Sequence, residues 1–181
     1  MTKDTSIQFE ADLFELKDQT ILRLPPEESL KMPSRGQVAV IGTINGHEFN
    51  TVLEPDGYKG HFVRVEQDLQ KDAGVTAGDS ASLVLQVTKE WPEPVLPDDF
   101  MTALSDAPQK VKDKWVDITP MARWEWVRWI NSTANTDTRA IRIEKTVSKL
   151  NGEHRRPCCV DTSACSDPGL SKNGKLLEQG K

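Results

Sequence analysis

The chain has 181 residues, 36% hydrophobic and 28% charged, with a formal net charge of −5, a composition that fits a soluble globular protein of one domain or two small ones. Its longest apolar run, Val38 to Ile41, falls far short of the ~20 residues of a membrane-spanning helix. Met1 to Ser6 has no apolar core of a secretory signal, so a cytoplasmic protein without membrane contact is expected.

Ile7, Phe9, Ala11 and Leu13 alternate with polar residues and predict a half-buried strand. Thr20 to Leu24 predicts a second strand, stopped by Pro25-Pro26, and Glu27 to Met32 a helical turn. Gln37 to Ile44 is rich in valine and isoleucine. It meets Asn45-Gly46 and then the alternating Phe49, Thr51 and Leu53, the signature of a two-residue hairpin. Pro55-Asp56-Gly57 predicts a turn, Tyr58 to Val65 a strand, Gln67 to Ala73 a short helix ended by Gly74, and Ser80 to Thr88 a last strand. About six strands with only short helical turns must close or pack to cover their apolar face, and a small antiparallel barrel over residues 1–91 is the expectation.

Residues 92–97, with Trp91 before them, are proline-rich and read as a semi-rigid linker. The period then becomes helical. Phe100, Ala103 and Leu104 follow Asp98 as a cap; Val111, Trp115 and Ile118 follow Asp106-Ala107-Pro108; Thr119-Pro120 opens a third helix over about 120–133. That helix is expected to bury Ala122, Trp126, Trp129, Ile130 and Thr133, and to turn Trp124, Arg128 and Asn131 the other way. Asn135 or Thr136 caps a fourth, with Ala140, Ile143, Val147 and Leu150 as its buried stripe and Asn151-Gly152 as its end. Residues 98–152 thus predict a compact four-helix domain, and the class is α+β. Residues 153–181 show no sustained period and are expected to be a mostly disordered tail.

The order of these features resembles a known combination. Phe9-Glu10-Ala11, Leu24-Pro25, the hairpin Val40-Ile41-Gly42-Thr43-Ile44-Asn45-Gly46 and the turn Gly78-Asp79 resemble a bacterial domain of unknown function. Pro97-Asp98-Asp99-Phe100 with Ala103-Leu104, then Trp129-Ile130, Thr138-Arg139, Arg142-Ile143 and the ending Arg155-Arg156-Pro157-Cys158-Cys159, resemble the YdeI/OmpD-associated, or bacteriocin-protection, family. The resemblance covers roughly residues 6–160. It implies a double-split barrel of the AbrB/MazE-like class followed by a small helical domain, and it supplies no catalytic residues.

Arg123, Trp124, Arg128, Arg139 and Arg142 are the candidate ligand- or partner-binding residues. Guanidinium groups grip anions bidentately and tryptophan stacks on planar ligands. The competing reading is structural: Arg139 pairs with Asp98 or Asp99, and Arg128 stacks on Trp124. Trp124, an apolar ring on the polar face, is expected to contact the barrel or a second subunit, the barrel being preferred. His154, Cys158, Cys159 and Cys165 lack the spacing of a zinc site and read as exposed incidental thiols beside a histidine. His47 and His61, with Glu48 and Arg64, have the residue types of acid–base chemistry but no nucleophile motif. Gly42, Asn45 and Gly46 precede no helix and so are not a phosphate loop; turn geometry accounts for them.

These features favour a binding or regulatory protein, not an enzyme, with no cofactor and no metal. It is expected to act as a monomer or homodimer through a protein partner in stress or bacteriocin resistance. The alternatives are a nucleic-acid-binding regulator and a small-ligand or enzyme site in a groove between the domains. The nucleic-acid version is disfavoured by charge. Residues 1–117 carry 12 basic and 21 acidic side chains, a net of −9, and residues 118–181 carry 11 and 7, a net of only +4.

Overall fold

The computed structural model describes residues 6–157 and 161–178, which fall into two compact units. In the first, six strands close into an antiparallel barrel. β1 (Ser6–Leu16) runs longer than its first alternating stretch and turns at Lys17-Asp18 into β2 (Gln19–Arg23), with Leu13 opposite Leu22 and Phe14 opposite Ile21. β3 (Val38–Ile44) and β4 (His47–Pro55) form the hairpin that Asn45-Gly46 predicts, with φ of 48° and 83° at the two turn residues. β5 (His61–Arg64) joins β4 to β2, and β6 (Ser80–Val87) joins β3 to β1. The order β1-β2-β5-β4-β3-β6 is closed, so these strands leave no unpaired edge. Two short helices, α1 (Pro26–Ser29) and α2 (Gln67–Ala73), lie in the connections.

The barrel interior is filled from one parity of each strand, by Ile7, Phe9, Leu13, Leu22, Val40, Leu53, Val63, Leu83 and Leu85. Each such side chain contributes about 1.5–3 kcal/mol when fully buried. Gly42 corrects a sequence expectation, because turn geometry does not explain it. It lies within β3, paired with Leu85, where a Cβ would come within 1.9 Å of the Val84 carbonyl oxygen. The barrel wall is closed too tightly there for any side chain.

Phe14, Leu16, Ile21 and Phe62 sit on the opposite parity from the interior residues, yet all are buried. Their cover corrects the expectation of a loose tail. Residues 161–178 carry a hairpin, β7 (Ser171–Lys172) and β8 (Lys175–Leu176), and bury Cys165, Leu170 and Leu176 against those four. So short a hairpin has too few residues to show a period, and its apolar residues are too sparse to signal a core. Cys165 is thus buried, not an exposed incidental thiol; Cys158 and Cys159 lie outside the described residues.

The second unit holds α3 (Asp98–Asp106), α4 (Gln109–Asp117), α5 (Pro120–Asn131) and α6 (Thr136–Asn151). Phe100, Val111, Trp115, Ile118, Trp126, Ile130, Ile143 and Leu150 form its core, with the Phe100 and Trp115 rings edge to face at 5.2 Å. The Thr119 hydroxyl accepts from the Ala122 N–H at 3.1 Å, and the Asn135 side-chain oxygen accepts from the Thr138 N–H at 2.9 Å, so both helices are capped as their sequences predict. Asp98 is not a cap: Pro97 occupies that position, and Asp98 and Asp99 instead place negative charge in the first turn. Gly152 follows α6 at φ −100°, outside the left-handed region. Ala140 is exposed, and Thr146 takes its place in the buried stripe. Among the described residues no helix is long and apolar enough to cross a membrane.

Candidate functional site

A helix ends with carbonyls that have no partner within it and with the negative pole of its dipole. Arg123, near the start of α5, meets that need for α4. Its Nη1 donates to the carbonyls of Trp115 (3.0 Å), Val116 (3.2 Å) and Ile118 (2.6 Å). Its Nε and Nη2 donate to the Glu93 carboxylate at 2.9 and 2.5 Å. Arg142, from the first half of α6, does the same for α5. Its Nη1 donates to the Trp129 carbonyl at 2.8 Å and to the Ser132 hydroxyl, and the guanidinium lies 5.5 Å from the Trp129 ring centroid. Arg139 donates from Nη1 to the Ile130 carbonyl and to the Asn131 side-chain oxygen, both at 3.2 Å. It also grips Asp99 with two bonds of 3.0 and 3.1 Å. That pairing holds the Asp99 carboxyl below the usual carboxylate range.

Arg128 was expected on a solvent-facing side of α5. It is instead buried, and its Nη1 donates to the Asp161 carbonyl at 3.1 Å, so the returning chain covers that face. Trp124 is half-buried and partnered. The structure therefore brings Arg139 and Arg142 together at the end of α5, while Arg123 works at its start. Arg155 and Arg156 are engaged too, with Asp117 at 2.7 Å and Glu125 at 2.7 Å. Trp126 Nε1 donates to the Arg155 carbonyl at 3.0 Å, which pins the chain beyond α6 to the helical unit.

The second unit has a groove of about 570 Å³ lined by residues of α3 and α6. Ala103, Ala107, Ala140, Ile143 and Val147 line it together with the carboxylates of Asp99, Asp106 and Glu144. Sequence reasoning counted Ala103 and Ala140 as core. The available signal was their size: where a packed stripe carries leucine or isoleucine, alanine leaves room between two helices.

His61 is fully buried. Ser29 donates its hydroxyl to Nδ1 at 2.5 Å, and Nε2–H donates to the Gly36 carbonyl at 3.0 Å. A serine–histidine contact has the residue types of a nucleophile and its base. Here neither side chain is accessible and the second ring nitrogen is spent on a carbonyl, so the pair ties α1 and the 34–36 loop to β5. Burial, and then the Arg35 guanidinium, push the His61 pKa down. His47 is exposed at the far end of β4, eight residues from Pro55, which pairs with His61. At ~3.3 Å per residue the two histidines do not converge. His154 is exposed, and among the described residues no group of three or more histidine, cysteine or acidic side chains is placed to hold a metal ion.

Residues 9–85 match the family model of a domain of unknown function (DUF1905). Residues 93–152 match the model described as bacteriocin-protection, YdeI or OmpD-associated. No curated protein matches the chain.

Proposed function

We propose a binding role, without catalysis, for this chain, which belongs to the bacteriocin-protection, YdeI or OmpD-associated family and carries a domain of unknown function (DUF1905) ahead of it. The site is the α3–α6 groove, and its occupant is an amphipathic helix of a protein or peptide partner. The observation that carries this reading is the lining of the groove. Alanines in the lining admit close approach of a second helix, and the half-buried Val147 offers apolar contact. Asp106 and Glu144 are exposed carboxylates in its lining and favour lysine or arginine beside the partner's apolar stripe. The family's description names protection from bacteriocins, which puts such partners first.

The alternative of a nucleic-acid-binding regulator rests on the likeness of the barrel to the AbrB/MazE class. It is less well supported, because Arg123, Arg128, Arg139 and Arg142 spend donors on carbonyls, and a strongly acidic first domain repels phosphates. The test is an anisotropy titration with a labelled amphipathic helical peptide bearing a leucine stripe flanked by lysines. Wild type binds, added salt weakens binding, and Ala140→Arg, a change at an exposed lining position, abolishes it. A peptide that fails to bind at low salt, or binds the variant equally, overturns the reading.

A further inference from the structure

The turn that follows β4 is a basic spot on an acidic domain. Residues 1–117 have a net charge of −9, yet Arg23 of β2 and Lys175 of β8 both reach the ring of Tyr58, at 5.6 and 5.4 Å from its centroid. Lys59 follows Tyr58 in the chain, and Arg35 donates from Nη1 to the Lys59 carbonyl at 2.8 Å. We propose that Arg23 and Lys175, gathered at Tyr58, bind the phosphoryl group of a small phosphate monoester. All of these residues belong to the first unit, so the site is independent of the groove in the second.

Backbone contacts bring the two cations to one place. Gly57 has φ of 82°, and a Cβ there would lie 2.0 Å from the Gly174 carbonyl oxygen and 2.8 Å from the Lys175 Cα. Only glycine admits so close an approach of two backbones. The Leu176 N–H donates to the Asp56 carbonyl at 2.8 Å, which fixes Lys175 beside the turn. The buried Asp56 holds the turn from within. One carboxylate oxygen accepts from the N–H groups of Tyr58 (2.7 Å) and Gly60 (2.9 Å), and the other accepts from Arg23 Nη2 at 2.8 Å.

The cations keep donors for a ligand. Both oxygens of Asp56 are committed, so this acid orients Arg23 and leaves the other charges of the turn standing. Among the described residues no carboxylate pairs with Lys59 or Lys175, and Arg23 donates to no protein acceptor from Nε or Nη1. The Arg23 side chain is 34% exposed and Tyr58 51% exposed, so solution reaches both. A ring face attracts a cation only weakly at an exposed position, and a charge-assisted bond to an anion is stronger. Like charges held side by side on an acidic surface focus a local positive potential. A phosphate monoester is close to dianionic at neutral pH and presents three acceptor oxygens. One such group answers a guanidinium fork and an ammonium point charge together, whereas a single carboxylate brings one charge to two cations.

The experiment uses the full chain with its tyrosine labelled in the ring with carbon-13. Tyr58 is the chain's only tyrosine, so NMR gives one ring reporter at the site. Inorganic phosphate, adenosine monophosphate and adenosine are titrated separately, with ionic strength held constant by potassium chloride. The expected result is a saturable shift of the Tyr58 ring signals with phosphate and with adenosine monophosphate, and none with adenosine. Lys175→Gln, a change at an exposed position, weakens both affinities about tenfold or more, as expected for the loss of one hydrogen bond to a charged group. Lys71→Gln, on α2, removes the same charge elsewhere on the acidic domain and leaves both affinities unchanged. The proposal is overturned if phosphate moves the ring no more than chloride does, if adenosine moves it as adenosine monophosphate does, or if Lys175→Gln binds as wild type. The wild-type titrations decide without any substitution, so a variant that failed to fold would not protect the proposal.

Discussion

Arg123 shows how a charged side chain on an apparently polar face serves the scaffold. It is 9% exposed, and three carbonyls at the end of α4 depend on it. Removing a donor to buried carbonyls costs more than the bond itself is worth, because the acceptors stay desolvated. Arg123→Lys keeps the charge but loses the planar fork. It is expected to lower stability by about 2–3 kcal/mol, read by helical circular dichroism in urea. His61 gives a pH dependence with a definite sign. Its folded pKa lies below the ordinary value of 6.5, so on acidification the unfolded chain takes up a proton that the folded chain refuses. Its contribution is full above pH 6.5 and is lost as pH falls from there toward the folded pKa. The urea midpoint of wild type therefore drops between about pH 7 and pH 5. His61→Gln, less stable throughout, has a flatter profile over the same window.

At the scale of elements, two hairpins of the same loop length carry unequal signals. Asn45-Gly46 announces its turn, whereas Lys17-Asp18 adopts φ of 48° and 69° with residues that give no such signal. Non-glycine residues in that region cost free energy, so Asp18→Gly is expected to raise the thermal midpoint of the barrel by relieving about 1 kcal/mol of strain. The six strands and α2 were legible because each follows a period or a turn signal. Phe14 and Leu16 were not placed, because apolar residues on the second parity state that both faces are covered without saying by what. The arginines failed differently. A helical wheel gives the direction of a side chain, but the carbonyls that Arg123, Arg139 and Arg142 reach belong to neighbouring helix ends that only the packing of α4, α5 and α6 brings close.

At the scale of the whole molecule, the division into a barrel and a helical part follows from one change of period, from two to 3.6, across the prolines of residues 92–97. The two family matches fall on either side of that change. The chain after α6 was the least legible part. Arg155 and Arg156 pair with acids of the helical unit, and residues 161–178 cover the barrel through three buried side chains. Sparse contacts of this kind leave no period in a sequence. The groove was hidden for the same reason, since alanine counts as apolar in any pattern while its small volume is what opens the space. The central claim is that the groove between α3 and α6 receives the partner while Arg123 and Arg128 serve the scaffold. Methyl and side-chain NMR of the full chain, titrated with the lysine-flanked amphipathic peptide, tests it directly. Shifts concentrated on the methyls of Ala103, Ala107, Ala140 and Ile143, with the Nε–H signals of Arg123 and Arg128 unmoved, are the expected result. Shifts at those two arginines with the alanine methyls unmoved would contradict the account.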